Sequence, residues 1–235
     1  MEKKEDFYFW FSSWLILEEL WQKRSKAVHA VYPVIASFCD WQTGIGWIGL
    51  KKISKYSGYS IPKVIEALKE MEKHWSNIFS VKHGHRKVRS GRKVNEYHLK
   101  LPKKNNRGGN FPFHRMLIDE LAWAKLSNSA RSLYPVMRAT SKFDMKIYNL
   151  LEDEGYHLSE FEEAFFDREY DICLERRSNL AWLAGISSDS VKSALASLEE
   201  NDFIEPFEES YLTDDDDKPS ERKYYSGWKV FLRLP

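Results

Sequence analysis

The sequence predicts a mainly α fold with small β elements (α+β), built from two tandem domains that are related by internal duplication. Two stretches of the chain occur twice. Residues 11–36 align without a gap on residues 113–138, an offset of 102, and residues 53–72 align on residues 180–199, an offset of 127. The copies agree in apolar spacing, in a Gly-x-Ser turn and in a closing strand. The repeated unit is therefore one small domain rather than a short solenoid module.

The offsets also predict the domain boundaries. We place the first domain at residues 1–102, a linker at residues 103–110 and the second domain at residues 111–235. The linker is polar and contains glycine, which is typical of a connecting segment. The offsets differ by 25 (127 − 102 = 25), so the second domain carries about 25 extra residues, which we place within residues 140–177. Domains of roughly 100 residues are each able to bury a core.

The composition predicts a soluble protein of the cytoplasm. No stretch approaches the roughly 18 uninterrupted apolar residues of a membrane span, and the apolar segment 7–17 lacks the flanking features of a signal peptide. The two cysteines, Cys39 and Cys173, lie at non-equivalent positions of the two copies. This spacing indicates neither a disulfide framework nor a metal site, and we expect buried thiols.

The net charge of +1 conceals an asymmetry between the halves. Residues 1–110 contain 21 Lys and Arg against 10 Asp and Glu, a balance of +11, and the remainder of the chain carries −10. Residues 82–107 include ten basic residues with Glu96 as their only acid, whereas residues 205–221 include eight acids and one lysine. The two halves are therefore expected to face different partners.

Each copy is predicted to contain helix, helix, strand, helix, turn, helix and hairpin, in that order. In the first copy, apolar spacing predicts helices over residues 14–24 and 26–38, and Ser25 is the expected cap of the second. A short helix over residues 50–56 and a longer one capped by Ser60 follow. The residues expected to point inward from the long helix are Val64, Ile65, Leu68 and Met71.

A short helix and a longer one joined by a glycine turn form a helix-turn-helix, and the hairpin behind them forms a two-stranded wing. The segments LKKISKYSGYSIPKVIEALKEME (residues 50–72) and LAWLAGISSDSVKSALASLEENDFI (residues 180–204) resemble the winged-helix signature LA-x-x-x-G-hydrophobic-S-x-x-TV-x-x-x-L-x-x-L-E-x-x-G-hydrophobic-I. The resemblance extends over about three quarters of the chain. It is strongest to the winged-helix domains of phage and plasmid replication proteins. The doubled arrangement resembles iteron-binding plasmid replication initiators, which place two such domains on one DNA.

The resemblance implies two tandem winged-helix domains and sequence-specific binding to double-stranded DNA. The specific function that we expect is that of a replication initiator of a plasmid or phage-like mobile element. A winged-helix transcription regulator is the alternative, because fold alone does not fix function. A tandem winged-helix subunit that binds other proteins, as in chromosome-organising complexes, is the alternative from another class, and the acidic second half favours it.

The first copy carries most of the residues that we expect to hold DNA. Basic residues of the wing would repel one another on a free surface, whereas along a duplex they neutralise phosphates and release counterions. Lysines of the short helix would position the protein without specifying a sequence, and free main-chain N–H groups near Ser60 suit a phosphate. The alternative for the lysines of the long helix is that they only keep an exposed face of the helix solvated and do not contact DNA. The candidate residues are Lys51, Lys52, Lys55, Ser60, Lys63, Lys69, Lys82, Arg86, Lys87, Arg89, Arg92 and Lys93.

The second copy offers fewer contacts. Ser188 and Lys192 lie on the expected outer face of its long helix, where they could hydrogen-bond bases or phosphates. The aspartate run at residues 214–217 would be repelled from a duplex, and we interpret it as a solvated loop, with a partner-binding or DNA-mimicking surface as the alternative. An apolar stripe at residues 158–170 serves either core packing or docking of another protein. A homodimer or a replication-protein partner is expected through this acidic half.

The sequence predicts no enzyme. We find no Walker loop, no nucleophile elbow and no paired aspartates of a nuclease, so we expect no catalytic residue and no cofactor. His83 and His85 flank a glycine in the wing, but a third metal ligand is lacking in sequence reach. We therefore expect no metal.

Overall fold

A computed structural model describes residues 8–40, 42–87, 93–100, 110–141, 170–212 and 222–232. The described part of each copy begins with a strand and ends with a hairpin. The first copy contains β1 (Tyr8–Ser12), α1 (Trp14–Leu17), α2 (Lys26–Ala36), β2 (Ile45–Ile48), α3 (Leu50–Ser57), α4 (Ile61–His74), β3 (Phe79–Lys87) and β4 (Lys93–Leu99). The second copy contains β5 (Asn110–His114), α5 (Met116–Asp119), α6 (Ala122–Lys125), α7 (Asn128–Thr140), β6 (Tyr170–Cys173), α8 (Arg177–Ala184), α9 (Ser188–Glu199), β7 (Ile204–Leu212) and β8 (Arg222–Phe231).

Within the described residues, the strands form three small antiparallel sheets, in the orders β1-β5, β2-β4-β3 and β6-β8-β7. The predicted fold class, mainly α with small β wings in two tandem winged-helix domains, is therefore wrong, because the structure is mixed α/β. The sequence reasoning missed the β1-β5 sheet, in which Phe11 lies opposite Phe111. Such a pairing joins segments about 100 residues apart, and local apolar periodicity carries no information about it.

The ends of the helices agree with the capping residues in the sequence. The hydroxyl of Ser25 accepts a hydrogen bond from the N–H of Val28 at 3.4 Å, and Ser127 caps α7 in the same way. Gly58, with φ of +71°, is the C-cap residue that follows α3, and Gly185, with φ of +63°, is the C-cap residue that follows α8. Because left-handed backbone favours glycine, both turns follow directly from the repeated Gly-x-Ser sequence.

Two local predictions for the first copy are wrong. The helix expected over residues 14–24 ends at Leu17, since Glu19 takes a φ of +60° that an α-helix does not tolerate. Ile65 is exposed instead of pointing inward. Ser60 is the N-cap residue of α4, as predicted, although its side chain makes no capping hydrogen bond.

An aromatic cluster with the same three residues from each copy lies at the centre of the fold. The ring centroids of Phe11 and Tyr32 are 5.3 Å apart at 84°, and those of the equivalent Phe113 and Tyr134 are 5.4 Å apart at 85°. Edge-to-face geometry of this kind adds to the burial energy. The fully buried members are Phe11, Trp21, Tyr32, Phe113, Trp123 and Tyr134.

Two indole hydrogen bonds join the copies inside this cluster. The N–H of Trp21 donates to the carbonyl of Ser132 at 3.0 Å, and the N–H of Trp123 donates to the carbonyl of Ala30 at 3.0 Å. One cluster of buried apolar side chains runs through both copies. The copies therefore share a core.

The turn of each helix pair also contacts the opposite copy. A Cβ on Gly58 would lie 3.0 Å from the carbonyl oxygen of Ala124, and a Cβ on Gly185 would lie 2.2 Å from that of Gln22. Glycine is thus required for the close approach as well as for the positive φ. Both helix pairs are held at the junction of the two copies.

The domain boundaries stay a prediction. Of the predicted linker, residues 103–109 lie outside the described residues, as do most of the insertion at 140–177 and the aspartate run at 214–217. Of the two cysteines, Cys173 is buried as expected and Cys39 is half-buried; neither forms a disulfide.

Candidate nucleic-acid interface

The first helix pair, α3 and α4, presents a row of exposed lysines that we term the basic face. The apolar side of the pair is anchored by Ile53, Val64, Leu68 and Met71, which are buried. Helical periodicity then places the polar residues on the solvent side. The basic face consists of Lys51, Lys52, Lys55, Lys63, Lys69 and Lys73, all of them exposed.

Two aromatic rings underlie one end of the basic face. Phe38 and Tyr56 stack with their centroids 5.9 Å apart at 25°. The Nζ of Lys52 lies 4.6 Å from the Phe38 centroid, and the Nζ of Lys55 lies 6.0 Å from that of Tyr56. The guanidinium of Arg115, from the second copy, lies 5.1 Å from the Phe38 centroid. Cation–π contacts of this kind hold cations at a surface without neutralising them.

The charges of the basic face are only partly compensated. Lys63 donates to Glu66 at 2.5 Å, and this hydrogen bond raises the pKa of Lys63. Among the described residues, no carboxylate pairs with Lys51, Lys69 or Lys73. A cluster of like charges without counter-ions attracts a polyanion such as a nucleic acid.

The outer face of the β2-β4-β3 sheet carries one carboxylate among several donors. Glu96 accepts hydrogen bonds from His98 Nε2 at 2.6 Å, Lys82 Nζ at 3.1 Å and Trp47 Nε1 at 3.1 Å. The bonds from His98 and Lys82 lower the pKa of Glu96 to about 2. Lys82, a predicted DNA contact, is therefore paired with an ionised carboxylate within the protein.

The basic hairpin is bent at its middle. The register between β3 and β4 shifts between Lys82 and Arg86, and Gly84, with φ of +59°, donates its N–H to the side chain of Asn95 at 3.1 Å. Bulges of this kind re-aim the strand that carries them. Of the predicted contacts, the main chains of Arg86, Lys87 and Lys93 lie in β3 and β4; Arg89 and Arg92 lie outside the described residues.

The second helix pair, α8 and α9, has the same backbone and different chemistry. Helix α8 begins and ends at the residues equivalent to the ends of α3. The predicted contacts Ser188 and Lys192 are exposed on α9. Trp182, 50% exposed, takes the place of Lys55. The residues that replace the basic face, in order, are Ser178, Asn179, Trp182, Ser190, Ala196 and Glu200.

The sequence did not indicate Phe38, Tyr56 and Arg115 as neighbours of the basic face. The sequence indicates the two aromatic residues only weakly, since each lies next to a polar or basic segment. It does not indicate Arg115, because this residue reaches the basic face only through the packing of one copy on the other.

The described residues contain no helix that is long and apolar enough to cross a membrane. In the same ranges, His, Cys, Asp and Glu side chains do not gather in groups of three that could hold a metal ion. The Nε2 of His83, in β3, lies 3.8 Å from the carboxylate of Glu72, in α4.

No protein-family model matches the chain, and no significant similarity was found to a characterised protein or to a solved structure.

Proposed function

We propose that the protein binds double-stranded DNA through the basic face and the hairpin of β3 and β4. The observation that carries the proposal is the set of six exposed lysines on one helix pair, of which only Lys63 has a carboxylate partner among the described residues. An exposed helix with this charge can lie along or within a groove while its neighbours contact phosphates.

The aromatic support adds to this proposal. Phe38 and Tyr56 keep Lys52 and Arg115 near the surface, so less side-chain entropy is lost when these cations meet a phosphate. Isolated lysines that only solvate a helix need no such support.

The test compares two double variants of the full chain. Lys51→Ala/Lys55→Ala removes two charges from the basic face, and Lys23→Ala/Lys26→Ala removes two exposed charges near the start of α2. Binding to a random-sequence duplex is measured over a salt titration. The first variant should lower the slope of log K against log salt by about 1.8, at about 0.9 for each lost phosphate contact, and the second should leave it unchanged. If both variants changed the slope equally, the basic face would not be part of the DNA-binding surface.

Within DNA binding, we propose a replication initiator of a plasmid or phage-like element as the specific role. Its support is the resemblance of residues 50–72 and 180–204 to helix-turn-helix segments of such initiators, and their occurrence twice in one chain. A plasmid that lacks its own initiator and carries this gene together with the bound site should replicate. Repression of a reporter behind the site, without replication, would favour the transcription regulator.

A further inference from the structure

The contacts between the copies are reciprocal. Strands β1 and β5 pair so that Trp10 lies opposite Pro112, and these residues occupy equivalent positions at the offset of 102. The pair Phe9 and Phe113 on one side is matched by Phe11 and Phe111 on the other. The register is therefore symmetric about its centre.

The same reciprocity recurs at two other places. The indole of Trp21 bonds to Ser132 while that of Trp123 bonds to Ala30, and Ser132 is the equivalent of Ala30. The turn glycine of each helix pair meets the carbonyl of the equivalent residue in the opposite copy, Ala124 in one case and Gln22 in the other.

Reciprocal contacts define the symmetry that relates the copies. When residue i of one unit contacts residue j of the other, and j of the first contacts i of the second, the interface is isologous and the operation is a two-fold rotation. A head-to-tail arrangement would place different surfaces in contact. The two copies are thus related by a local two-fold axis that passes near Trp10 and Pro112.

The helix pairs follow this axis. Each pair docks on its own copy in the same way: the N–H of Ser25 donates to Glu70 at 2.9 Å, and that of Ser127 donates to the equivalent Ser197 at 3.1 Å. A rotation leaves the component of a direction along its axis unchanged. The exposed faces of α4 and α9 therefore make the same angle with the axis.

We propose that the DNA target of this protein is an imperfect inverted repeat, with one half-site contacted by α3 and α4 and the other by α8 and α9. The inference rests on the proposed function. A protein with two-fold symmetry reads two half-sites related by the dyad of the duplex. Here one chain supplies both readers.

The two half-sites are expected to contribute unequally to the binding affinity. Each lysine of the basic face has a neutral or acidic equivalent in the second helix pair, so the second half-site receives few phosphate contacts. Its exposed residues Ser188, Lys192 and Ser193 are able to hydrogen-bond base edges. The first half-site supplies most of the affinity, and the second adds discrimination.

The experiment begins with selection of sites by the full-length protein from duplexes with a randomised centre. The expected consensus has two half-sites in inverted orientation. In competition assays, scrambling the first half-site should weaken binding by a factor on the order of 100 and scrambling the second by about 10, within the range of specific over non-specific binding. Reversing the second half-site into a direct repeat should cost as much as scrambling it, as should inserting about half a helical turn between the halves.

Two variants assign the half-sites. Lys69→Ala should lose footprint protection in the first half-site, and Lys192→Ala in the second only. A consensus that is a direct repeat, or a single half-site that binds as tightly as the whole, overturns the inference and leaves DNA binding standing. Failure to bind any duplex, in a protein whose unfolding curve is cooperative, overturns the proposed function together with the inference.

Discussion

His29 and Arg131 occupy equivalent positions of the two copies, yet one is a buried neutral ring and the other a buried cation. His29 stacks on Trp21 with centroids 4.2 Å apart, and its Nε2 donates to the carbonyl of Trp21 at 2.8 Å. Arg131 donates instead to the carbonyl of Ser57 at the end of α3. The same place in the duplicated core is thus used once for packing and once to hold a helix pair.

The histidine makes stability depend on pH. Burial lowers the pKa of His29 from 6.5 to about 4, so the unfolded chain binds its proton first as the pH falls. The stabilisation is complete above about pH 6.5 and is lost towards pH 4, at a cost of roughly 3 kcal/mol. Urea unfolding between pH 7.5 and 4.5 should show this fall, and His29→Gln should flatten it.

The control for this window is His74→Gln, which alters an exposed histidine. Glu96 does not interfere with the measurement above pH 4.5. Its pKa is lowered from 4.5 to about 2, so the stability that its carboxylate contributes is lost only as the pH falls from 4.5 to 2. If the unfolding free energy of the wild-type protein stays constant from pH 6.5 to 4.5, the pKa of His29 is not lowered in the folded state.

The turn glycines should differ in their sensitivity to substitution. Gly185→Ala places a Cβ 2.2 Å from a main-chain oxygen in left-handed backbone, whereas the corresponding distance at Gly58 is 3.0 Å. We expect Gly185→Ala to lower the unfolding free energy by more than about 2 kcal/mol and Gly58→Ala by about 1 kcal/mol. Gly49→Ala, with only Val94 at 3.8 Å, is the control and should change it by less than about 0.5 kcal/mol. If both substitutions lowered the unfolding free energy by similar amounts, the backbone around Gly185 would be able to move away from the carbonyl of Gln22 at little cost.

The buried ion pair between Arg138 and Asp171 should be sensitive to loss of one partner. The atoms Nη1 and Oδ2 are 2.6 Å apart, and both side chains are almost fully buried. Asp171→Asn should destabilise the fold by about 3–5 kcal/mol, because a guanidinium is left buried without its counter-charge. Glu205→Gln, which breaks the more exposed pair with Lys229, should cost no more than about 1 kcal/mol. Thermal unfolding of both variants measures the contrast, and a small loss for Asp171→Asn would indicate that water enters the site.

Removing Glu96 should strengthen DNA binding while weakening the sheet. Glu96→Gln releases Lys82 from its carboxylate, so one more cation becomes available to a phosphate. The slope of log K against log salt should steepen by about 0.9, and the melting temperature should fall. Glu72→Gln removes an acid of α4 that contacts His83 of the same hairpin and should leave the slope nearly unchanged. Equal slopes in both variants would place Lys82 outside the interface.

The sequence predicted the local elements better than the fold class. Ser25, Gly58 and Gly185 encode caps and turns through their own conformational preferences, and the repeat made each of them visible twice. The β1-β5 pairing and the shared core depend on contacts between residues about 100 positions apart, which no local pattern encodes.

The candidate site was predicted in part for the same reason. Lysines of an amphipathic helix are recognised by their spacing, so Lys51, Lys55 and Lys69 were found and are exposed. The pairing of Lys82 with Glu96 depends on strand register, and the approach of Arg115 to Phe38 depends on how the copies pack. Neither follows from composition or periodicity.

The local two-fold axis also bears on how the chain can evolve. In a homodimer every substitution appears on both sides of the axis, so a gain in one subunit is tied to its effect in the other. Here the two sides are encoded separately, and positions such as 29/131 and 55/182 differ between the copies. The turn glycines 58/185 and the buried aromatic pairs 11/113, 21/123 and 32/134 are identical. Because the copies are covalently linked, one copy can carry a basic surface and the other a different surface, while the symmetric contacts between the copies are kept.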